Sequence, residues 1–320
     1  MLAHGFLRLR CGDCGHDKLV AFSCKRRGFC PSCGARRMAQ TAANLVDHVI
    51  PHVPVRQWVL SLPIPLRLLL AAQPRLLTPV LQVVHRVLTR HLLERAGLTP
   101  GQADCGAVTL IQRFGSVANL NIHLHCLVLD GVYQRGEAGS VFVNVPPPTD
   151  EDVQVVLHRI VGRILKMLTR RGVLVEDQDS MYVADDEGDS DDARTLRPLQ
   201  AAACTYRIAF GPRVGQKLLT VQGAMPREPG FEQDLCAQTQ GFSLHAAVRC
   251  EAEDRQGLKR LCRYITRPAL AYEWVQYNAA GRVVLKLKTS WRDGTTHLVM
   301  SPLEFMQRLA ALVPRQRLHL

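Results

Sequence analysis

An alternating stretch in the middle of the chain, Asn121–Asp130, constrains the fold more than any other part of the sequence. Apolar residues such as Ile122 and Leu124 alternate there with His123 and His125. Since successive side chains of a β-strand point to opposite faces, the pattern predicts a half-buried strand with both imidazoles on one face. Two neutral imidazoles side by side can ligate a divalent metal ion. The simpler alternative is two polar residues on the solvated face of the strand.

The segment before this stretch predicts its pairing partner. Ala107–Phe114 has strand composition, and a short turn joins it to the histidines, which indicates an antiparallel hairpin. Gln112 lies near the turn, so its amide oxygen is a candidate third metal ligand, with an ordinary polar strand residue as the alternative. Asp130 is a rival ligand, but its parity is opposite to that of the histidines unless a bulge intervenes.

Two Cys-x-x-Cys pairs near the N-terminus predict a zinc finger over residues 1–40. The pairs are Cys11 with Cys14 and Cys30 with Cys33, and fifteen residues separate them. Four thiolates at this spacing suit tetrahedral Zn2+ and leave no open coordination position, so the predicted zinc ion is structural. A redox-active dithiol pair is the alternative.

The charge balance favours a polyanionic partner, with nucleic acid first. The 40 Lys and Arg residues outnumber the 28 Asp and Glu residues, which gives a net charge of +12. Nine acidic and no basic residues fall within Glu176–Asp192. This composition predicts an acidic disordered insertion, residues 176–194, in a domain that spans residues 41–320. Self-inhibition of the basic surface is the functional alternative to a solvated insertion.

No segment reads as a membrane span or a secretory signal. The longest apolar run, residues 59–72, is interrupted by Pro63, Pro65 and Arg67. We therefore expect no membrane partner and a cytoplasmic, nucleoid-associated protein, whose eleven cysteines are thiols or metal ligands rather than disulfides.

A second informative stretch, residues 254–267, predicts a helix that Asp254 caps and Pro268 follows. Four residues at helical spacing form a core face: Leu258, Leu261, Cys262 and Ile265. The opposite face carries one tyrosine among three arginines: Arg260, Arg263, Tyr264 and Arg267. Guanidinium groups bind phosphate and favour a phenolate, as a tyrosine that attacks a phosphodiester requires. A surface tyrosine between arginines is the alternative.

The remaining pattern predicts an α+β fold, because runs of helical and strand periodicity follow one another along the chain. Helices are predicted at residues 38–49, 76–96, 150–171 and 301–312. Strands are predicted at residues 55–62, 141–145, 203–210, 241–252, 282–288 and 296–300, with a loop at 211–240.

The zinc finger, the His-hydrophobic-His strand and the tyrosine helix follow one another as in the rolling-circle HUH transposases that carry an N-terminal zinc-binding domain. The chain resembles this family through almost its whole length. The resemblance implies an HUH endonuclease-like antiparallel sheet with packed helices behind the finger. Relative to the family, the chain begins almost at the finger and ends early at Leu320, so we expect a truncated copy.

The resemblance also implies the chemistry. His123 and His125 would hold Mg2+ or Mn2+, and Tyr264 would cut one DNA strand to leave a 5′-phosphotyrosine link. Some members carry a second tyrosine four residues later, where this chain has Pro268, so it resembles the single-tyrosine type. The expected partners are single-stranded DNA at transposon ends and at the target.

Two other functions fit parts of the sequence. A non-catalytic zinc-finger DNA-binding protein, such as a decayed transposase or a repressor, would share the finger and the positive charge but has no use for Tyr264. A zinc hydrolase could use His123, His125 and His245, although no acidic general base stands at a motif spacing.

Overall fold

The structure is a computed structural model that describes residues 6–10, 12–21, 31–115, 117–177, 180–183, 191–222, 234–288, 290–291 and 293–313. Two residues of the predicted zinc site, Cys11 and Cys30, lie outside this described part of the chain. So do residues 178–179 and 184–190 of the predicted acidic insertion.

The described residues form seven α-helices. They are α1 (Pro31–Asn44), α2 (Ile64–Ala72), α3 (Leu77–Ala96), α4 (Asp150–Arg170), α5 (Asp191–Cys204), α6 (Arg255–Ile265) and α7 (Pro302–Leu312). A π-helical turn, Leu45–Val49, follows α1, and 3-10 turns lie at Pro74–Leu76 and Tyr272–Trp274. The predicted helix ends are confirmed where a cap is present. Gly97 ends α3 in the left-handed conformation (φ 68°), and Thr149 and Ser301 open α4 and α7 with capping boxes.

The strands are short and numerous. They are β1 (Phe6–Arg10), β2 (Asp17–Ala21), β3 (Val55–Ser61), β4 (Ala103–Asp104), β5 (Ala107–Phe114), β6 (Leu120–Leu129), β7 (Gly131–Gly136), β8 (Gly139–Asn144), β9 (Leu174–Asp177), β10 (Ser180–Val183), β11 (Leu219–Gln222), β12 (Cys236–Thr239), β13 (Phe242–His245), β14 (Arg249–Cys250), β15 (Val275–Tyr277), β16 (Val283–Lys286) and β17 (Thr295–Met300). All named pairings among them are antiparallel, so the predicted α+β class is confirmed.

The central sheet has the order β12-β13-β3-β6-β5, and β14 also pairs with β3. Two smaller sheets flank it, β4-β7-β8 and β11-β17-β16-β15. The predicted hairpin of β5 with β6 is confirmed, and its register places Gln112 opposite His123. The register shifts between Gln112 and Phe114, next to the turn.

The two faces of the central sheet pack against different helices. On one face, even-numbered residues of β6 such as Ile122 and Leu124 join a large apolar core with side chains of α2, α3, α4, α5 and α7. On the other face, Leu127 and Leu129 at the end of β6 pack in a smaller core with α1, its π-helical turn and α6. His123 and His125 have the parity of this second face.

Three sequence predictions need correction or completion. The strand predicted at residues 203–210 is wrong, because Ala203 and Cys204 end helix α5 and only Arg207 beyond them forms an isolated bridge, with Lys217. Helix α2 was not predicted. The described flanks of the acidic segment are the β9–β10 hairpin and the start of α5. Among the described residues, no helix is long and apolar enough to cross a bilayer.

Candidate active site on the histidine face of the sheet

The two imidazoles of β6 lie side by side. The ring centroids of His123 and His125 are 4.8 Å apart at an angle of 63°. Burial lowers the pKa of both imidazoles, and it lowers the pKa of His125 to about 3. Both rings are therefore neutral at pH 7, which is the form that ligates a metal ion.

His125 is held from the neighbouring strand β3. The side-chain amide nitrogen of Gln57 lies 2.8 Å from Nδ1 of His125, while Nε2 of His125 is buried and has no hydrogen-bond partner among the described residues. Metal coordination through Nε2 requires a proton on Nδ1, and the amide oxygen of Gln57 would then have to face the ring. The two amide orientations fill the same volume, so a half-turn of the amide converts one pattern into the other.

His123 is oriented by its own strand. Its Nδ1 donates to the backbone oxygen of Asn121 at 2.8 Å, which leaves Nε2 as the free ring nitrogen. Asn121 has the same parity as the histidines, and its side-chain oxygen is buried without a partner. Two atoms that can ligate a metal ion, Nε2 of His125 and Oδ1 of Asn121, therefore belong to side chains on the same sheet face, and neither has a hydrogen-bond partner among the described residues.

The two candidate third ligands have other contacts. Gln112 lies opposite His123, and its amide nitrogen donates to the backbone oxygen of Ile265 at 3.0 Å, so it ties the histidine hairpin to the end of α6. Asp130 accepts hydrogen bonds from Arg56 at 2.9 Å and from Arg249 at 2.6 Å. Its carboxylate is thus committed to a buried ion-pair network, in keeping with its opposite parity.

Helix α6 lies on the histidine face for reasons visible in its sequence. Asp254 caps it by accepting from the backbone N–H of Gly257 at 2.7 Å. Leu258, Cys262 and Ile265 are buried in the smaller core with Leu127 and other residues of the central sheet. This apolar face turns the arginine-rich face of the helix, which carries Tyr264, away from the core.

Tyr264 is 43% exposed and has two cations beside its ring. The guanidinium carbon of Arg267 is 4.8 Å from the ring centroid, and Nζ of Lys288 is 4.2 Å from it. Arg267 also lies over Trp274, at 5.8 Å from that ring's centroid. Its Nε is buried and has no hydrogen-bond partner in the part of the chain that the structure describes.

Two arginines add positive charge beside the imidazoles. After burial, the largest cause, the charges of Arg67 and Arg267 further lower the pKa of His123, and Arg267 does the same for His125. Arg67 stands in the first turn of α2, where its Nε donates to the backbone oxygen of Leu62 at 2.5 Å. Arg267 therefore contacts the phenol ring, and its charge also acts on the imidazole pair.

The other predicted site residues do not contact the imidazoles or the Tyr264 ring in the described contacts. Arg260 and Arg263 are exposed on α6, and no described side chain forms an ion pair with them. His245 has the same parity as His125, but strand β3 lies between them through Val59. That places the two backbones two strand spacings apart, roughly 9–10 Å.

The donor set fits a divalent cation held by two neutral nitrogens and amide oxygens. Within the described residues, no group of three or more His, Cys, Asp and Glu side chains is placed to hold a metal ion. The oxygen donors near the imidazoles are therefore amides such as Asn121 and Gln112, with water and a bound phosphate as the remaining possibilities. Gln57, Asn121, Arg67 and Lys288 were not predicted as site residues.

The end of the finger touches the end of the tyrosine helix. Of its cysteines, Cys14 is exposed, and Cys33 lies in the first turn of α1, which packs against α6. At Gly34 a side-chain Cβ would come within 2.6 Å of the Pro268 Cβ. This close approach requires glycine, and it joins the predicted zinc site to the residue after Arg267.

Comparison with protein families defines the class of this protein. Residues 106–320 match the family described as "Putative transposase", and residues 1–62 match the family described as "Transposase zinc-binding domain". Searches of the curated proteins and of the solved structures each found no match. The protein is thus of the transposase class, with DNA as its substrate and a zinc-binding domain at its N-terminal part.

The first match covers about two thirds of the chain, which therefore belongs to the Putative transposase family. The predictions of a transposase, of a DNA partner and of Zn2+ are confirmed at this level. The HUH chemistry, the tyrosine nucleophile, the metal ligands and the single-stranded substrate stay predictions.

Proposed function

We propose that this transposase is a metal-dependent single-strand DNA endonuclease and strand transferase, with Tyr264 as the nucleophile. The observation that carries the proposal is the position of Arg267. Its guanidinium is 4.8 Å from the Tyr264 ring, and its charge lowers the pKa of both His123 and His125. A phosphate bound at Arg267 would lie near the nucleophile and the metal ligands together.

His123 and His125 would hold Mg2+ or Mn2+ through their free Nε2 atoms, with amide oxygens of Asn121 or Gln112 as the third protein ligand. The buried and unpartnered Nε2 of His125 supports this role, since an orphaned polar atom in the interior is costly without a ligand. When bound, the divalent ion supplies positive charge that stabilises the developing charge on the scissile phosphate.

The chain's own cations would position the DNA. Arg267 and Arg67 flank the imidazoles and would bind the non-bridging oxygens of the scissile phosphate. Lys288, whose Nζ lies 4.2 Å from the Tyr264 ring, would place a positive charge next to a phosphate bound there. Trp274 beside Arg267 offers a ring on which an unpaired base can stack. The exposed Arg260 and Arg263 would contact phosphates farther along the strand.

The covalent step conserves one phosphodiester. The Tyr264 oxygen attacks the phosphorus in line, its proton passes to solvent, and the bond from phosphorus to the 3′ oxygen breaks. The departing 3′ oxygen takes up a proton to give a free 3′-hydroxyl, while the 5′ phosphate stays on the tyrosine. Attack of a 3′-hydroxyl of another strand on this link would reverse the chemistry and transfer the strand.

The direct test incubates the full chain with Mn2+ and labelled single-stranded DNA from transposon ends and looks for a covalent adduct on a denaturing gel. We expect an adduct with the wild type and none with Tyr264→Phe, which lacks the attacking oxygen. Tyr277→Phe is the matched control, because Tyr277 is 70% exposed on β15 and should leave the adduct unchanged.

An adduct that survives in Tyr264→Phe would refute the assignment of the nucleophile. DNA binding without any Mn2+-dependent cleavage by the wild type would favour the non-catalytic DNA-binding protein instead. A zinc hydrolase with His245 as third ligand is disfavoured by the intervening strand β3.

A further inference from the structure

A second basic site lies between α3 and α4, on the side of the central sheet opposite the histidines. It is a cleft of about 430 Å³ with an apolar floor of Val83 and Met167. Five cations surround this floor: Arg86, Arg163, Lys166, Arg170 and Arg171. Within the described part of the chain, its lining includes no carboxylate. We call this site the α3–α4 cleft.

The cations of the α3–α4 cleft form a line along one helix. Arg163, Lys166 and Arg170 are spaced by three and four residues, so they share one face of α4, and Arg86 stands across from them on α3. The line from Arg163 to Arg170 is about 10 Å long at the rise of an α-helix. A line of this length can contact more than one phosphate of a DNA strand.

These cations differ from their neighbours in having no acidic partner among the described residues. On the same two helices, Arg90 and Arg159 bind Glu94 at 2.9 and 2.7 Å, and Arg95 lies 3.3 Å from Asp152. All five cations of the cleft are exposed, and none forms an ion pair with a described acidic residue. Five like charges that no described carboxylate neutralises repel one another, and a bound polyanion would relieve this repulsion.

The chemistry of the lining indicates which polyanion fits. Sites for single-stranded nucleic acid stack bases on aromatic rings, and no aromatic side chain is among the described residues that line the cleft. Tyr264, with Arg267 at 4.8 Å from its ring centroid, provides such a ring on the histidine face. The cleft offers only cations and an apolar floor, which suits a backbone whose bases are already paired and stacked.

We propose that the α3–α4 cleft binds the phosphate backbone of double-stranded DNA, as a second DNA site separate from the candidate active site. The sheet and its helical layer lie between the two sites, since α3 and α4 pack in the large core on the even-numbered face of β6. The chain would then hold a duplex on one side and a single strand on the other. This inference needs the chain to act on DNA but does not need Tyr264 to be the nucleophile.

The test measures binding of a blunt duplex of about 20 base pairs by fluorescence anisotropy at several salt concentrations. Arg163→Gln with Arg170→Gln removes two cations from the cleft. The expected result is binding weakened by at least about tenfold near 0.1 M salt, and a slope of log K against log salt reduced by about 1.8. Adduct formation on single-stranded DNA, measured separately with the same variant, should not change.

The matched control also removes two arginines, Arg135→Gln with Arg213→Gln. These lie away from the cleft, where Arg135 is paired with Asp104 at 2.6 Å and Arg213 with Glu304 at 3.3 Å. Equal loss of duplex binding in both double variants would show that net charge alone determines the affinity, and it would overturn the proposal. Circular dichroism melting shows whether each variant keeps its fold. If the double variant is unstable, the single variants Arg163→Gln and Arg170→Gln are measured in its place. Each should reduce the slope of log K against log salt by about half as much.

Two other outcomes would also overturn the inference. Weak duplex binding by the wild type that strengthens when Asp185, Asp186 and Glu187 are replaced by their amides would make the chain's own acidic segment the occupant of the cleft. A single strand that loses as much affinity as the duplex in the cleft variant would remove the assignment to double-stranded DNA. Failure of the proposed function is detected in a different assay, as the absence of a covalent adduct between Tyr264 and single-stranded DNA.

Discussion

The two faces of strand β6 present opposite chemistry from adjacent residues. Leu124 and its even-numbered neighbours are fully buried in the large apolar core. His123 and His125, one residue away on either side, face a smaller group of polar side chains, and no described residue forms a hydrogen bond with Nε2 of His125. One face therefore contributes burial of apolar area, while the other keeps a desolvated polar atom that weakens the fold.

The proposed function assigns stability to one face of the strand and metal binding to the other. A buried imidazole nitrogen without a partner is destabilising by about 1–3 kcal/mol, a cost that the proposed metal ion would offset. The same logic applies to the unpartnered Oδ1 of Asn121. Neighbouring substitutions in β6 should accordingly produce different kinds of defect.

Leu124→Ala and His125→Ala make the sharpest form of this comparison. Leu124→Ala should lower the free energy of unfolding by about 2–5 kcal/mol, because it leaves a cavity in a well-packed core. His125→Ala should change the unfolding free energy by less than about 1 kcal/mol but lower the affinity for Mn2+ by at least about 100-fold, since it removes a ligand and an unsatisfied polar atom together. Denaturant unfolding and calorimetric titration with Mn2+ measure the two quantities.

The opposite result for the two variants would contradict this contrast between the two faces of β6. A His125→Ala protein that unfolds as readily as Leu124→Ala and binds Mn2+ like the wild type would make the imidazole a packing residue. The candidate active site would then lose its metal centre.

Substitutions of the amide side chains around the imidazoles should have smaller effects on metal binding. Gln57→Leu should weaken Mn2+ binding by about 10–100-fold, since Gln57 is the contact of His125 Nδ1 that sets its tautomer. Asn121→Ala and Gln112→Ala distinguish a metal ligand from a residue that only holds β5 against the end of α6. The amide nitrogen of Gln112 already binds the Ile265 carbonyl, so we expect Asn121→Ala to lower the affinity more.

Mn2+ titrations of the three variants at one pH provide the measurement. Unchanged affinity in Gln57→Leu would remove this residue from the site. A larger loss in Gln112→Ala than in Asn121→Ala would return the third ligand to Gln112, as the sequence alone predicted.

Local periodicity was enough to predict the elements that carry the site. The alternation around His123 and the helical spacing of Leu258, Cys262 and Ile265 correctly predicted β6 and α6. The strand predicted at residues 203–210 failed because Ala201, Ala202 and Ala203 favour helix and extend α5. Helix α2 was missed because Pro63 and Pro65 interrupt its start, where proline is in fact tolerated at the first turn.

Contacts between distant segments could not be predicted in this way. Gln57 reaches His125 from another strand, across 68 residues of sequence. Arg67 and Lys288 come from α2 and from the segment after β16, and neither stands in a motif. Arg267 was predicted through its helical spacing to Tyr264, whereas its approach to the imidazoles depends on the packing of α6 on the sheet. Spacing finds residues that share an element, and tertiary packing decides the rest.

The smallest expected effect concerns pH. Burial lowers the pKa of His123 below its usual value and that of His125 to about 3, so protons compete for these nitrogens only as the pH falls toward those lowered values. Two imidazoles with ordinary pKa values would bind a metal ion roughly tenfold more weakly at pH 6.0 than at pH 7.5. We expect the affinity of this chain for Mn2+ to change by less than about threefold over that interval. Calorimetric titration at both pH values measures it, and a loss of about tenfold at pH 6.0 would mean that the imidazoles are solvated like those of an exposed strand, which would erase the contrast between the two faces.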